Sequence, residues 1–176
     1  MSRRNTFICI TFLAISICLS CTTTRRHGRT LSAPELAKTL SSRLGIQVTT
    51  KDNLELYDLI SKWIGTPHRM GQSSMKGTDC SGFVSVLYKN IYGKNLERSS
   101  AAMLKVNCRK VTDQKNLREG DLVFFYTGRL SQTPSHVGIY LKDRKFAHSS
   151  TTNGVTISSL DEPYYVKRWI SGGIVK

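Results

Sequence analysis

Gly77-Thr78-Asp79-Cys80-Ser81-Gly82-Phe83-Val84 carries a thiol across the point where a polar loop gives way to a helix. Upstream, Gly71, Gln72, Ser73, Ser74 and Gly77 are too polar and too Gly-rich for a helix. Downstream, Phe83, Val84, Leu87, Tyr88 and Ile91 form one apolar helical face that stops at Gly93. Asp79 is placed to cap this helix, and Cys80 falls in its first turn. A helix start presents unpaired N–H groups and roughly half a unit of positive charge, and both favour a thiolate. A cysteine taken at random more often packs as a small apolar residue. Asp, Ser and Gly are poor core neighbours, so Cys80 reads as a nucleophile.

Before this stretch the pattern is helical. Ser32 and Glu35 have capping-box spacing, and Leu36, Leu40 and Leu44 repeat every four residues up to Gly45. Asp52 or Asn53 can cap a second helix whose buried face is Leu56, Leu59, Ile60, Trp63 and Ile64, ending at Gly65-Thr66-Pro67. After Cys80 a short helix is expected over Ala101 to Val106, with Cys108 at its end. The texture then turns to strand: Leu122 to Tyr126, His136 to Leu141, Lys145 to Ser149, Gly154 to Ser158, and Trp169 to Val175. Helices first and strands second, without βαβ alternation, predict an α+β fold with N-terminal helices packed on a C-terminal antiparallel sheet and a single core.

A hairpin turning at Asp143 brings His136 and His148 near each other across the ladder. A nucleophilic thiol needs a base, and the base needs a third polar group to fix its tautomer. Cys80, His136 and His148 supply the three roles in that order. A zinc site made of His68, Cys80, His136 and His148 is disfavoured, because none of the compact Cys/His spacings of structural zinc sites is present. No cofactor is called for.

Asp79-Cys80-Ser81-Gly82-Phe83-Val84, Gly120-Asp121-Leu122-Val123-Phe124-Phe125, His136-Val137-Gly138-Ile139-Tyr140 and Phe146-Ala147-His148-Ser149 occur in that order. Together they resemble the NlpC-type cysteine peptidases of bacterial cell walls, which are papain-like, over about Asn53 to the C-terminus. The resemblance implies Cys80 as nucleophile, His136 as base and His148 as the third polar residue. It also implies a substrate, the stem peptides of peptidoglycan, cut between D-glutamate and the following diamino acid. The chain departs from the family pattern at His68, where a tyrosine usually lies beside the thiol and helps to bind the oxyanion. Gln72 stands for a usual Gly and Glu97 for a common Pro. His68, Asp79, Ser81 and Ser99 are the candidate oxyanion or substrate-binding residues.

At the N-terminus, Arg3 and Arg4 precede an apolar run from Phe7 to Leu19, which reads as a signal peptide over 1–20. Ser20-Cys21 resembles a bacterial lipoprotein processing site, making Cys21 the expected lipidation point. Residues 21–31 then form a tether, 32–52 a short helical extension and 53–176 the peptidase domain. After export only Cys80 and Cys108 remain in the folded part, and a disulfide between them is the bland alternative to a catalytic thiol. Among 176 residues, 26 are basic and 12 acidic, a formal charge of +14. The basic residues are scattered without a recognition module, so anionic cell envelope fits better than nucleic acid. The expected molecule is a monomer anchored by its lipid, facing the periplasm from the outer membrane. Two other classes share these features: a wall-binding module of papain-like shape without turnover, and an amidase or thioesterase on the same fold.

Overall fold

Capping residues set where each helix begins in the computed structural model, which describes residues 31–128 and 133–176. The signal segment, Cys21 and the tether up to Thr30 lie outside the described residues. Ser32 opens α1 (Ala33–Leu44), its N–H and hydroxyl donating to Glu35 at 2.9 and 2.7 Å, and Gly45 closes it. Asn53, not Asp52, caps α2 (Leu54–Trp63) by accepting the Leu56 N–H at 3.1 Å. Asp52 pairs instead with Lys142 at 2.8 Å, which ties the helical half to a strand turn. The buried stripe of α2 is Leu56, Tyr57, Ile60 and Trp63. Ile64, expected in that stripe, is exposed because the helix stops one residue earlier.

The loop before Cys80 folds into a two-stranded ladder, β1 (Ser73–Ser74) with β2 (Gly77–Thr78), and delivers the chain to α3 (Cys80–Tyr92). The expected helix over Ala101 to Val106 is a single turn, α4 (Ser100–Ala102), widening to a π turn at Met103–Asn107. It leads into β3 (Cys108–Val111), a strand the sequence hides because Arg109 and Lys110 are both exposed at the sheet edge. Then follow β4 (Leu122–Phe125), β5 (His136–Tyr140), β6 (Lys145–Ser150) and β7 (Gly154–Ser159). A further unexpected helix, α5 (Pro163–Arg168), is too short to show a period; it precedes β8 (Trp169–Val175). The six long strands form one antiparallel sheet in the order β3-β8-β4-β5-β6-β7.

β4 shows how the sheet divides the interior. Leu122 and Phe124 face the cluster containing Leu40, Leu56, Ile60, Phe83 and Leu87, whereas Val123 and Phe125 join Phe146, Leu160 and Tyr165 on the opposite face. Each fully buried Leu or Ile contributes about 2 kcal/mol on burial. The chain thus has two apolar layers where one core was expected; a strand buried on both faces reads as a continuous run that does not reveal the second layer. The helical layer presses α3 against β5 and β6, which brings the helix start to the strands that carry the two histidines.

Candidate active site

Asp79 and its neighbours fix the helix start. Its carboxylate accepts the N–H of Gly82 and of Gly71, each at 2.6 Å, and the two guanidinium nitrogens of Arg98 at 3.2 Å each. Ser81 Oγ lies 2.9 Å from Asp79 and 2.8 Å from the Arg98 carbonyl. Burial opposes the charge on Asp79, but Arg98, Gly82, Ser81 and Gly71 together hold the carboxyl below its usual range. Asp79 and Ser81, offered by the sequence as oxyanion or substrate contacts, therefore have their polar atoms engaged inside the protein, where they brace loop and helix. Ser99 is exposed and accepts the Ala102 N–H at 3.2 Å. Gly82 is required by close approach: a Cβ there would lie 2.3 Å from the Gln72 carbonyl oxygen.

Across from the helix start, the N–H of Val137 donates to the Cys80 sulfur, which places the first residues of β5 at the thiol. His136 is the residue immediately before. Its Nε2 lies 2.9 Å from His148 Nδ1, and the two rings meet edge to face with centroids 5.0 Å apart. The turn between β5 and β6 holds Asp143 and Arg144 at positive φ, as a tight hairpin requires. The register Ile139↔Ala147 then puts His148 diagonally across from His136, over Gly138. A Cβ on Gly138 would lie 2.7 Å from the Phe146 ring, 2.9 Å from the Ala147 carbonyl oxygen and 3.3 Å from the His148 Cβ, so glycine lets β6 and its imidazole lie close against the first strand.

The same burial decides the charges. His136 is pushed down to about 4 by burial and, second, by the nearby charge of His68. His148 is held well below the usual histidine range by burial and by His136. Burial pushes the Cys80 thiol up, and the negative charge of Asp79 adds to this; the N–H groups of Val137, Ser81 and Cys80 itself pull the other way without prevailing. The expected pull of the helix start toward thiolate is thus outweighed by desolvation, which favours the neutral thiol at Cys80 and the neutral ring at His136. An imidazole that is uncharged at rest, on the strand that meets the thiol, has the protonation state that proton abstraction needs.

His68 sits on the other side, bridged to Thr78. Its Nδ1 is 3.1 Å from Ser149 Oγ, and that hydroxyl donates its single hydrogen to the Thr78 carbonyl at 2.8 Å. Ser149 must then accept from His68, so the Nδ1 carries the proton. Neutral His68 consequently presents a lone pair at Nε2, and only the protonated ring offers an N–H there.

His136 and His148 also border a cleft of about 370 Å³ lined by Thr127, Glu162, Tyr164 and Tyr165. Arg98, Ser149, Ser158 and Tyr165 are the polar partners that the sequence did not reveal as site residues. Only Arg98 was foreseeable, since it follows Cys80 by one helix and a turn. Cys108 is buried in β3 and not bonded to Cys80, and burial pushes its thiol up to about 12. Among the described residues, no group of three or more His, Cys, Asp or Glu side chains is placed to hold a metal ion.

With this geometry in hand, comparison with known proteins is informative. Residues 65–173 match the NlpC/P60 family. The chain is 38% identical over 146 residues to the murein DD-endopeptidase MepS/murein LD-carboxypeptidase of Escherichia coli (strain K12), covering 83% of this chain and 74% of that protein. It is also 38% identical over 129 residues to the probable endopeptidase NlpC of the same strain, covering 73% and 80%. A crystal structure of an NlpC/P60 family protein from Bacillus cereus ATCC 10987 superposes with a TM-score of 0.55 at 26% identity, over 81% of this chain and 40% of that one. The α+β, papain-like arrangement is shared, and the chain belongs to the NlpC/P60 family.

Proposed function

We propose that this protein is a peptidoglycan hydrolase, a cysteine endopeptidase that cleaves stem peptides of the cell wall. The observation that carries the reading is the hydrogen-bonded pair His136–His148 on the strand whose Val137 N–H meets the Cys80 sulfur, with burial pushing the thiol pKa up and the His136 pKa down. The names of the relatives, MepS and NlpC, support the substrate class.

In this mechanism His136 Nδ1, the ring nitrogen not bonded to His148, takes the thiol proton as the Cys80 sulfur attacks a peptide carbonyl. The oxyanion is held by the Cys80 N–H and by His68 in its protonated form. Collapse breaks the C–N bond, and His136 returns the proton to the departing amine. His136 then takes a proton from water, whose oxygen attacks the thioester; the C–S bond breaks and the proton passes from His136 to the departing Cys80 sulfur. The bond cut is the D-glutamyl bond to the diamino acid. Cys21 carries the lipid, and the protein works as a monomer at the periplasmic face of the outer membrane.

Digestion of purified sacculi tests both parts. Muropeptides split after D-glutamate support the stated bond, and monomers released from cross-linked dimers would replace it with the D,D cross-link that the name of MepS gives. Intact sacculi under all conditions would leave the wall-binding alternative.

A further inference from the structure

His148 has a second ring nitrogen, and the groups around it have no part in the mechanism so far. His148 Nε2 lies 3.1 Å from the Tyr165 hydroxyl and 3.2 Å from Ser158 Oγ. His148 is 1% exposed and Tyr165 9%. The Tyr165 ring is wedged between Phe125 and Phe146, at centroid distances of 5.0 and 4.8 Å, so its hydroxyl is held in place by packing.

Two proton arrangements satisfy the row of imidazoles. In one, His136 Nε2–H donates to His148 Nδ1, His136 Nδ1 is bare, and His148 carries its proton on Nε2. In the other, His148 Nδ1–H donates to His136 Nε2, so a neutral His136 carries its proton on Nδ1, where it blocks the base. Only the first allows the thiol to be deprotonated, and it requires an acceptor for His148 Nε2–H, because a buried N–H left unpaired loses its solvation without compensation.

Resting on the cysteine-peptidase reading above, we propose that Tyr165 and Ser158 are positioning residues that act as redundant acceptors for His148 Nε2–H and thereby keep His136 Nδ1 free to receive the thiol proton. Either oxygen suffices alone. Removing both strands the N–H and tips the row to the inactive tautomer, whose Nε2 lone pair needs no partner as urgently as an N–H does.

The test has two readouts. Nitrogen-15 NMR of the wild-type protein at neutral pH reads the tautomers directly and needs no turnover; the expected result is a proton on Nε2 of both His136 and His148. A proton on Nδ1 of His148 would overturn the proposal, whatever becomes of the catalytic reading. Kinetics on a soluble stem peptide then compare Tyr165→Phe, Ser158→Ala and the double variant, Phe preserving the ring between Phe125 and Phe146. Each single change is expected to lower kcat less than about fivefold, and the pair about a hundredfold with KM little changed. The double variant should also shift the histidine tautomers, a change that loss of packing alone would not produce. A double variant with wild-type kcat, or with unmoved tautomers, contradicts the assignment. Absence of turnover in every protein, with the tautomers as expected, would count against the peptidase reading and leave the proton arrangement standing.

Discussion

At the residue scale, the site turns on where protons sit. Ser149 obliges His68 to carry its proton on Nδ1, so His68 can serve an oxyanion only when doubly protonated. His68→Tyr, with its permanent hydroxyl donor, should therefore preserve or raise the rate. His68→Ala should lose on the order of a hundredfold. Rate profiles for the three proteins on one stem peptide check this, and three superimposable profiles would remove His68 from the reaction. In the proposed mechanism His136 must be neutral to act as base, so activity should fail as pH drops through about 4. Stability follows the same sign. A histidine held neutral by burial stabilises the fold fully above its unfolded value, about 6.5, and this contribution is lost as the pH falls toward 4. Melting temperature against pH should decline across that window, and His136→Gln should decline less.

At the element scale, the hairpin of β5 and β6 aligns the two imidazoles, and Gly138 is its permissive position. Gly138→Ala forces a Cβ to within 2.7 Å of the Phe146 ring and 2.9 Å of the Ala147 carbonyl oxygen, so β6, and His148 with it, must shift. Overpacking of this kind costs about 1–3 kcal/mol, and here it should also lower kcat more than tenfold. A variant as active and as stable as wild type would show that the His148 position is not set by this contact. The hairpin was legible in the sequence because His136 to Leu141 and Lys145 to Ser149 are apolar runs flanking a charged turn. The helix start at Cys80 was legible from Asp79 and the stripe of Phe83, Val84, Leu87 and Tyr88. Tyr165 was not, because α5 is six residues long and its approach to His148 depends on packing across the sheet. Likewise Ser149 gives no local sign that it will orient His68, which lies 81 residues away. The charge state of Cys80 was misread for a related reason: the helix terminus is a local feature, whereas desolvation is contributed by strands distant in the chain.

At the scale of the whole molecule, the candidate site and a basic-lined cavity occupy different regions. The larger cavity, about 620 Å³, opens at the β3 edge and is lined by Arg109, Lys110, Lys115 and Arg118, away from Cys80. A chain with a formal charge of +14 should adhere to an anionic wall through such a face. Changing Arg109, Lys110 and Arg118 to Glu should weaken retention on sacculi several-fold at low salt and leave hydrolysis of a short soluble peptide unchanged. Equal retention of both proteins across a salt series would argue against the basic face as a wall contact. The central claim is that Cys80 is the nucleophile of a wall peptidase, and it is tested most directly by sacculus digestion with wild type and Cys80→Ala, followed by mass analysis of the products. The expected result is release of peptide-cleaved muropeptides by the wild type and none by Cys80→Ala, with melting temperatures within a few degrees of each other; equal digestion by the two proteins would contradict it.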